Sequence, residues 1–311
     1  MPKASPLKNN TAVRDLDWVL NSPPLLQGNK NHCNWTNDIF WQQATTQYAD
    51  QLQQLDAKPN ALGHLIAEQT DHRLGHYFET LLNYWFTTSS RYEVLAHNLQ
   101  VQHDKRTIGE FDFILQDHLT NKTQHWEVAC KFYLGINDTS QIDNWCGPML
   151  QDKLANKYQK MQTRQSQLSE QAAAQLTLKN LAIHVDEKVC LMKGRLFYPI
   201  LQAERAAPSV IANNHLQGWW ARLSEFATHY KTSPLRWRIL NKKQWLAEQV
   251  FDGKIQSYTS NEVVDVFLSE YNRPVSIAGF NPTTNNKELD RGFLVPSDWG
   301  PTNIAHQLST T

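Results

Sequence analysis

Two neighbouring stretches of the chain combine strand-like alternation with carboxylates and a lysine. A strand has a period of two, so residues of the same parity project from the same face. The side chains that would share a face are Glu110 and Asp112 in residues 108–115, and Glu127, Ala129 and Lys131 in residues 126–134. Gathering these charges on an otherwise apolar sheet is costly unless a cation or a substrate compensates. If the strands pair as a hairpin, the pattern predicts either such a site or a solvated face with ordinary ion pairs.

The elements that must position these residues follow from periodicity and turn residues. Up to residue 199 we predict a short amphipathic piece at 13–20, helices over 37–55, 60–89 and 150–169, and strands over 92–101, 108–115, 126–134 and 181–199. Three successive strands favour an antiparallel meander. The order of the core is therefore helix, three strands, helix, strand.

Beyond residue 205 the periodicity weakens into shorter pieces. These are predicted helices at 218–230, 243–249 and 262–270 and predicted extended segments at 235–240, 275–280 and 292–295. The fold class expected is α/β of the α+β type, in three parts: an N-terminal helical lead-in (1–60), a core (61–205) and a C-terminal α+β lobe (206–311).

Residues 72 to about 199 resemble the PD-(D/E)XK nuclease-like superfamily, which includes restriction endonucleases and Holliday-junction resolvases. The resemblance rests on residues 109–115, similar to its Gly-Glu-x-Asp strand, on residues 126–131, similar to its acid-and-lysine strand, and on residues 73–79, similar to its first core helix. The whole chain also resembles a bacterial family of uncharacterised proteins within that superfamily. The resemblance implies a restriction-endonuclease-like αβββαβ core.

The resemblance also implies roles for individual residues. Asp112 would be the central metal ligand and Glu127 the second, Glu110 and Glu79 would be outer ligands or support them, and Lys131 would orient the nucleophile or stabilise the phosphate. The cofactor implied is Mg²⁺ or Mn²⁺, a hard cation that suits oxygen ligands. The function implied is a metal-dependent nuclease or phosphodiesterase acting on DNA or RNA.

One spacing departs from the superfamily. Three residues separate Glu127 from Lys131, whereas the superfamily has one between its acid and lysine. In a regular strand their Cα atoms would lie roughly 13 Å apart instead of roughly 6.6 Å, unless a bulge re-aims one side chain. The alternative is therefore a catalytically inactive nuclease-fold protein that serves as a nucleic-acid-binding or scaffold module.

Cations in two segments are candidate phosphate contacts. They are Lys153, Lys157, Lys160 and Arg164 on one face of the predicted helix, and Lys193 and Arg195 on the last core strand. The alternatives are a solvated helix face for the first group and a charge-protected edge strand for the second.

Composition limits the remaining classes. The 311 residues contain 30 basic and 30 acidic side chains, so no global field attracts the chain to nucleic acid, and any polyanion site must be local. The four cysteines form no CxxC pair, which suits free thiols in a reducing compartment. With no signal-like apolar core at the start and no span-length apolar stretch, we expect a cytoplasmic protein without membrane partners. The oligomeric state is open.

Overall fold

The computed structural model describes residues 8, 10–28, 32–251, 253–283 and 286–300. Within them, the α-helices are α1 (Thr11–Asn21), α2 (Asp38–Ala57), α3 (Asn60–Ala67), α4 (Leu74–Thr88), α5 (Leu154–Lys160), α6 (Ala172–Asn180), α7 (Leu223–His229) and α8 (Ser260–Glu270). The strands are β1 (Asn34–Trp35), β2 (Tyr92–His103), β3 (Arg106–Asp117), β4 (Lys122–Gly135), β5 (Trp145–Cys146), β6 (Glu187–Pro199), β7 (Leu216–Arg222), β8 (Arg236–Leu240), β9 (Val275–Phe280) and β10 (Glu288–Val295). The chain is therefore a mixed α/β protein with mostly antiparallel strand pairs, and none of the described helices is long and apolar enough to cross a membrane.

The first compact unit comprises Met1–Lys131, Lys157–Gly194 and Val210–Leu216, and the second comprises Phe132–Asn156, Arg195–Ser209 and Gln217–Thr311. Both β4 and β6 run from one unit into the other, so the units interleave along the chain. The boundaries expected at residues 60 and 205 stay predictions.

Helices α1 and α2 begin at asparagine caps. The side chain of Asn10 accepts hydrogen bonds from the first amides of α1, and that of Asn37 accepts one from the Phe40 amide of α2. The single helix expected over residues 60–89 is wrong, because α3 and α4 are separate helices. The polar run between them supplies no apolar periodicity, and the Asp71 carboxylate accepts the Arg73 amide at 2.8 Å immediately before α4.

The predicted meander is confirmed, since β3 pairs antiparallel with both β2 and β4. The β2–β3 turn consists of Asp104 and Lys105, both with positive φ, as a two-residue hairpin loop requires. In this unit the strand order is β2, β3, β4, β6. Strand β4 is buried along nearly its whole length on both faces, so any charge on it must find a partner inside the protein.

The second unit has strands and a core of its own. Strand β10 pairs parallel with β7 and antiparallel with β9, which pairs with β8. Aromatic residues that include Trp219, Phe226 and Trp237 fill the core under α7 and α8. The helix expected over residues 218–230 is wrong in its first part, because Leu216–Arg222 form a strand, and residues 243–249 contain only a short 3₁₀ turn at Lys242–Trp245.

Candidate active site

The pairing of β3 with β4 brings the two predicted acids face to face. The register matches Phe113 with Trp126, and one further step places Asp112 opposite Glu127. There the Asp112 side chain takes the place that a backbone carbonyl of β3 would have between paired strands, since its Oδ2 accepts the Val128 amide of β4 at 2.8 Å. The Asp112 carboxyl group is thereby fixed beside Glu127.

Glu127 is fully buried, with its side chain only 1% exposed. Its Oε1 lies 3.1 Å from Nε2 of His125, and its Oε2 accepts the side-chain amide of Gln165 at 2.9 Å. Burial raises the pKa of Glu127 to about 8, while the ammonium groups of Lys157 and Lys160 oppose this rise. The solvated-face interpretation of the acidic face does not hold for this residue.

Asp112 and Glu127 form a coupled carboxyl pair. Burial and then the charge of Glu127 raise the pKa of Asp112 well above its ordinary value, while interaction with the Asp112 side chain lowers the pKa of Glu127. Negative charges on neighbouring buried carboxyl groups oppose the ionisation of both. At neutral pH the pair therefore holds a proton that a bound cation would displace.

A lysine reaches this pair from the helix that follows the meander. Burial lowers the pKa of Lys157, while Asp112 and Glu127 oppose that shift. Its Nζ donates to Oε1 of Gln165 at 2.9 Å, and the amide of Gln165 in turn donates to Glu127. Two hydrogen bonds thus connect the Lys157 ammonium group on the helix, through the Gln165 amide, to the Glu127 carboxyl group on β4.

A π-turn at Met161–Gln165 places Gln165. It continues α5 directly, and its wider ring is closed by the Ser166 amide, which donates to the Met161 carbonyl at 3.0 Å. Single π-turns inside helices occur frequently at functional sites because they re-aim side chains.

The lysine expected from the superfamily, Lys131, is half-buried on β4 in the same neighbourhood. Its charge lowers the pKa of Lys157, so the two ammonium groups are near each other. The ammonium groups that act most strongly on Glu127 are nevertheless those of Lys157 and Lys160. The role expected for Lys131 stays a prediction. Lys157 is linked to Glu127 through Gln165, which forms a hydrogen bond with each.

Two further predicted acids border the pair. Burial and the charge of Asp112 raise the pKa of Glu79, on α4, to about 7, and its Oε2 lies 3.2 Å from Nδ1 of His76. The charge of Glu110 adds to the rise at both Glu79 and Asp112. The four predicted acids therefore lie in one electrostatic neighbourhood.

A cleft of about 410 Å³ opens beside Asp112. Four consecutive residues of β3, 107–110, line its wall. Ile108 is an extra residue without a partner on β2, and such a bulge interrupts the alternation of side chains between the two faces of a strand. The lining residues are Thr107, Ile108, Gly109, Glu110, Asp112, Lys160, Arg164, Gln165, Leu168 and Gln171. Lys160 and Arg164 are exposed at this cleft, and their role as phosphate contacts stays a prediction. Lys157 lies further inward, and Lys153 belongs to the second unit.

The cations of the last core strand are not exposed. Lys193 is completely buried. Its Nζ donates to the Ser22 carbonyl and lies 3.7 Å from the centre of the Trp41 ring. Arg195 is 9% exposed and donates to the Gln217 carbonyl at 2.9 Å. The expectation of a surface phosphate contact fails for both, because β6 is covered on both faces and alternation along it exposes neither side.

The acids present suit one kind of cation site. Among the described residues, no group of three or more His, Cys, Asp or Glu side chains is arranged to hold a metal ion. Mg²⁺ is commonly bound by one or two carboxylates together with waters and substrate phosphates. The proton-sharing pair Asp112 and Glu127 fits that arrangement and does not fit a site built from protein ligands alone.

Sequence reasoning missed His125 and Gln165. His125 is fully buried, and burial lowers its pKa to about 3, so it is neutral beside Glu127. It occupies the strand position two residues before Glu127, and period two would have placed it on the same face. Gln165 carried no comparable signal, because several glutamines surround it and the π-turn that aims it has no sequence signature.

Fold and site together define a mixed α/β protein with a buried carboxyl pair, a helix-borne lysine and a cleft flanked by basic side chains. The chain belongs to the family described as domain of unknown function DUF1853, whose profile matches residues 14–295. Comparisons with curated proteins and with solved structures each found no match.

Proposed function

We propose that this protein is a Mg²⁺- or Mn²⁺-dependent phosphodiesterase of the nuclease type, acting on DNA or RNA with a PD-(D/E)XK-like core. The observation that carries the proposal is the pair of neighbouring buried carboxyl groups, Asp112 and Glu127, beside a cleft lined by Lys160 and Arg164. Buried carboxyl groups whose pKa values are raised by burial and by neighbouring acids are typical of catalytic and metal sites.

Each side chain has a task in this proposal. A divalent cation held by Asp112 and Glu127 would polarise the phosphate and lower the pKa of an attacking water. Lys157 would place its ammonium group against the negative charge that develops on the phosphate oxygens. Glu79, with its pKa of about 7, can hold or release a proton near neutral pH. The exposed cations at the cleft would hold flanking phosphates.

A second candidate is a nuclease-fold protein that binds nucleic acid without cleaving it. The observation that favours it is that both oxygens of Glu127 already have partners inside the protein, His125 and Gln165. A carboxylate held in this way would be a poorer ligand for a cation.

Cleavage assays with plasmid, single-stranded DNA and RNA, in Mg²⁺ or Mn²⁺, separate the two candidates. Asp112→Asn should reduce the rate by roughly a hundredfold or more, the usual scale for loss of a transition-state contact. Asp50→Asn makes the same change on an exposed position of α2 and serves as the control. Lys157→Met should reduce the rate by a similar factor, and Lys131→Met by less than about tenfold if Lys157 is the working lysine.

Metal binding is measured separately by thermal denaturation with millimolar Mg²⁺ or Mn²⁺. The midpoint should rise for the wild type and not for Asp112→Asn, because a ligand that binds only the folded state stabilises it. Absence of cleavage by the wild type on all three substrates would leave the non-cleaving candidate. Equal cleavage by Asp112→Asn would refute the proposed active site.

A further inference from the structure

The side chain of Gln165 fills the space between a cation and a carboxylate. Its Nε2 donates to Oε2 of Glu127 and its Oε1 accepts from Nζ of Lys157, both at 2.9 Å. The partners fix the orientation of the amide, since an ammonium group can only donate and its neighbour on the amide must be the oxygen.

Lys157 and Glu127 attract each other across this amide. The charge of each opposes the pKa shift that burial imposes on the other. In a buried site the attraction between opposite charges is stronger than in water, because the effective dielectric constant is lower. The contact here runs through the amide.

We propose that Gln165 is a positioning residue, a spacer that keeps the Lys157 ammonium group from closing onto Glu127. An ammonium group has three N–H donors, and the bond to Gln165 uses one. The spacer would leave the others for a phosphate oxygen and leave Glu127 available to a cation. The inference rests on the proposed function for its purpose, but the spacing itself can be tested without any cleavage.

The π-turn supports this role. Gln165 lies eight positions after Lys157, and in a regular α-helix eight positions turn a side chain by about 80° away from its starting direction. The wider turn at Met161–Gln165 changes the direction in which the Gln165 side chain projects, and Gln165 forms a hydrogen bond with Lys157.

The test is the rate at which an acylating reagent modifies Lys157 at about pH 9, above the pKa of about 8 of Glu127, measured by peptide mass spectrometry. In Gln165→Ala the space between the two groups is open and the lysine should close onto Glu127, which raises its pKa, and labelling should fall by about tenfold for each pKa unit gained. The double variant Gln165→Ala with Glu127→Gln should restore labelling, because the attracting carboxylate is gone. Gln159→Ala, the same change at an exposed position of α5, should leave labelling unchanged.

A loss of packing alone would not be reversed by Glu127→Gln, so the double variant separates spacing from a merely structural role. If Gln165→Ala does not fold, Gln165→Asn replaces it, since the shorter amide cannot reach both partners. Unchanged or faster labelling in the single variant, or no restoration in the double variant, overturns the proposal. If the wild type cleaves, Gln165→Ala should lower kcat more than it changes KM. If the wild type cleaves nothing while labelling behaves as expected, only the proposed function fails.

Discussion

Replacement of Glu127 by glutamine should change how the stability of the protein depends on pH. The pKa of this buried carboxyl group is about 8 in the folded protein, against 4.5 for an unperturbed glutamate. Between these pH values the folded state holds a proton that the unfolded chain has released. The free energy of unfolding therefore falls as pH rises through this window, by about 1.4 kcal/mol per pH unit, and levels off above about pH 8.

Glutamine keeps the shape of the protonated side chain and removes this dependence. We expect Glu127→Gln and the wild type to be similar in stability near pH 5 and the variant to be more stable by about 4 kcal/mol near pH 8. The neutral ring of His125 can accept one N–H of the new amide at Nε2, so the pairing between the two side chains is kept.

The assay is urea denaturation at pH steps between 5 and 9, without metal. Glu93→Gln, on an exposed position of β2, is the control and should follow the wild type. Millimolar Mg²⁺ at pH 8 should recover part of the lost stability in the wild type and not in Glu127→Gln. If the curves of the wild type and of Glu127→Gln run parallel from pH 5 to pH 9, the carboxyl pair does not hold the proton assigned to it.

Two further predictions concern the cleft and the strand behind it. Replacing Lys160 and Arg164 together by glutamate should weaken duplex binding in fluorescence anisotropy by roughly tenfold and reduce the salt slope by about two phosphate contacts, whereas the same change at exposed Lys58 and Lys179 should not. Gly194→Ala should lower the free energy of unfolding by more than about 3 kcal/mol in urea denaturation. A Cβ at this position would lie 1.7 Å from a carbonyl oxygen of β4, and the φ of +150° is strained for any other residue. A loss below about 1 kcal/mol would contradict that close approach.

Alternation was a good guide to which residues of the sheet carry the acids. Period two fixes which residues within β3 and within β4 share a face, whereas the approach of Asp112 to Glu127 was expected only if the two strands paired as a hairpin. The same rule failed at Lys193, because a polar position on a strand does not reveal whether its face is solvated or covered by other elements.

The helix-borne part of the site could not be predicted in the same way. Lys157 looked like one cation among several on a solvated helix face, and its link to Glu127 through Gln165 appears only in the folded structure. Its contact with Gln165 depends on a local widening of the helix, which side-chain periodicity does not encode. The corrected helix at residues 218–230 is a related case, since the apolar run that contains Trp219 is equally compatible with a buried strand.

The π-turn after α5 has a consequence for how this protein tolerates changes in chain length. Removing one residue from Met161–Gln165 would let the backbone revert to a regular helix, and every side chain beyond the deletion would rotate by about 100°. Gln165 would then leave Glu127 even though no residue of the site had been substituted. Insertions and deletions in this five-residue segment should therefore abolish the site as effectively as loss of a carboxylate, while length changes in the loop after α6 should be tolerated.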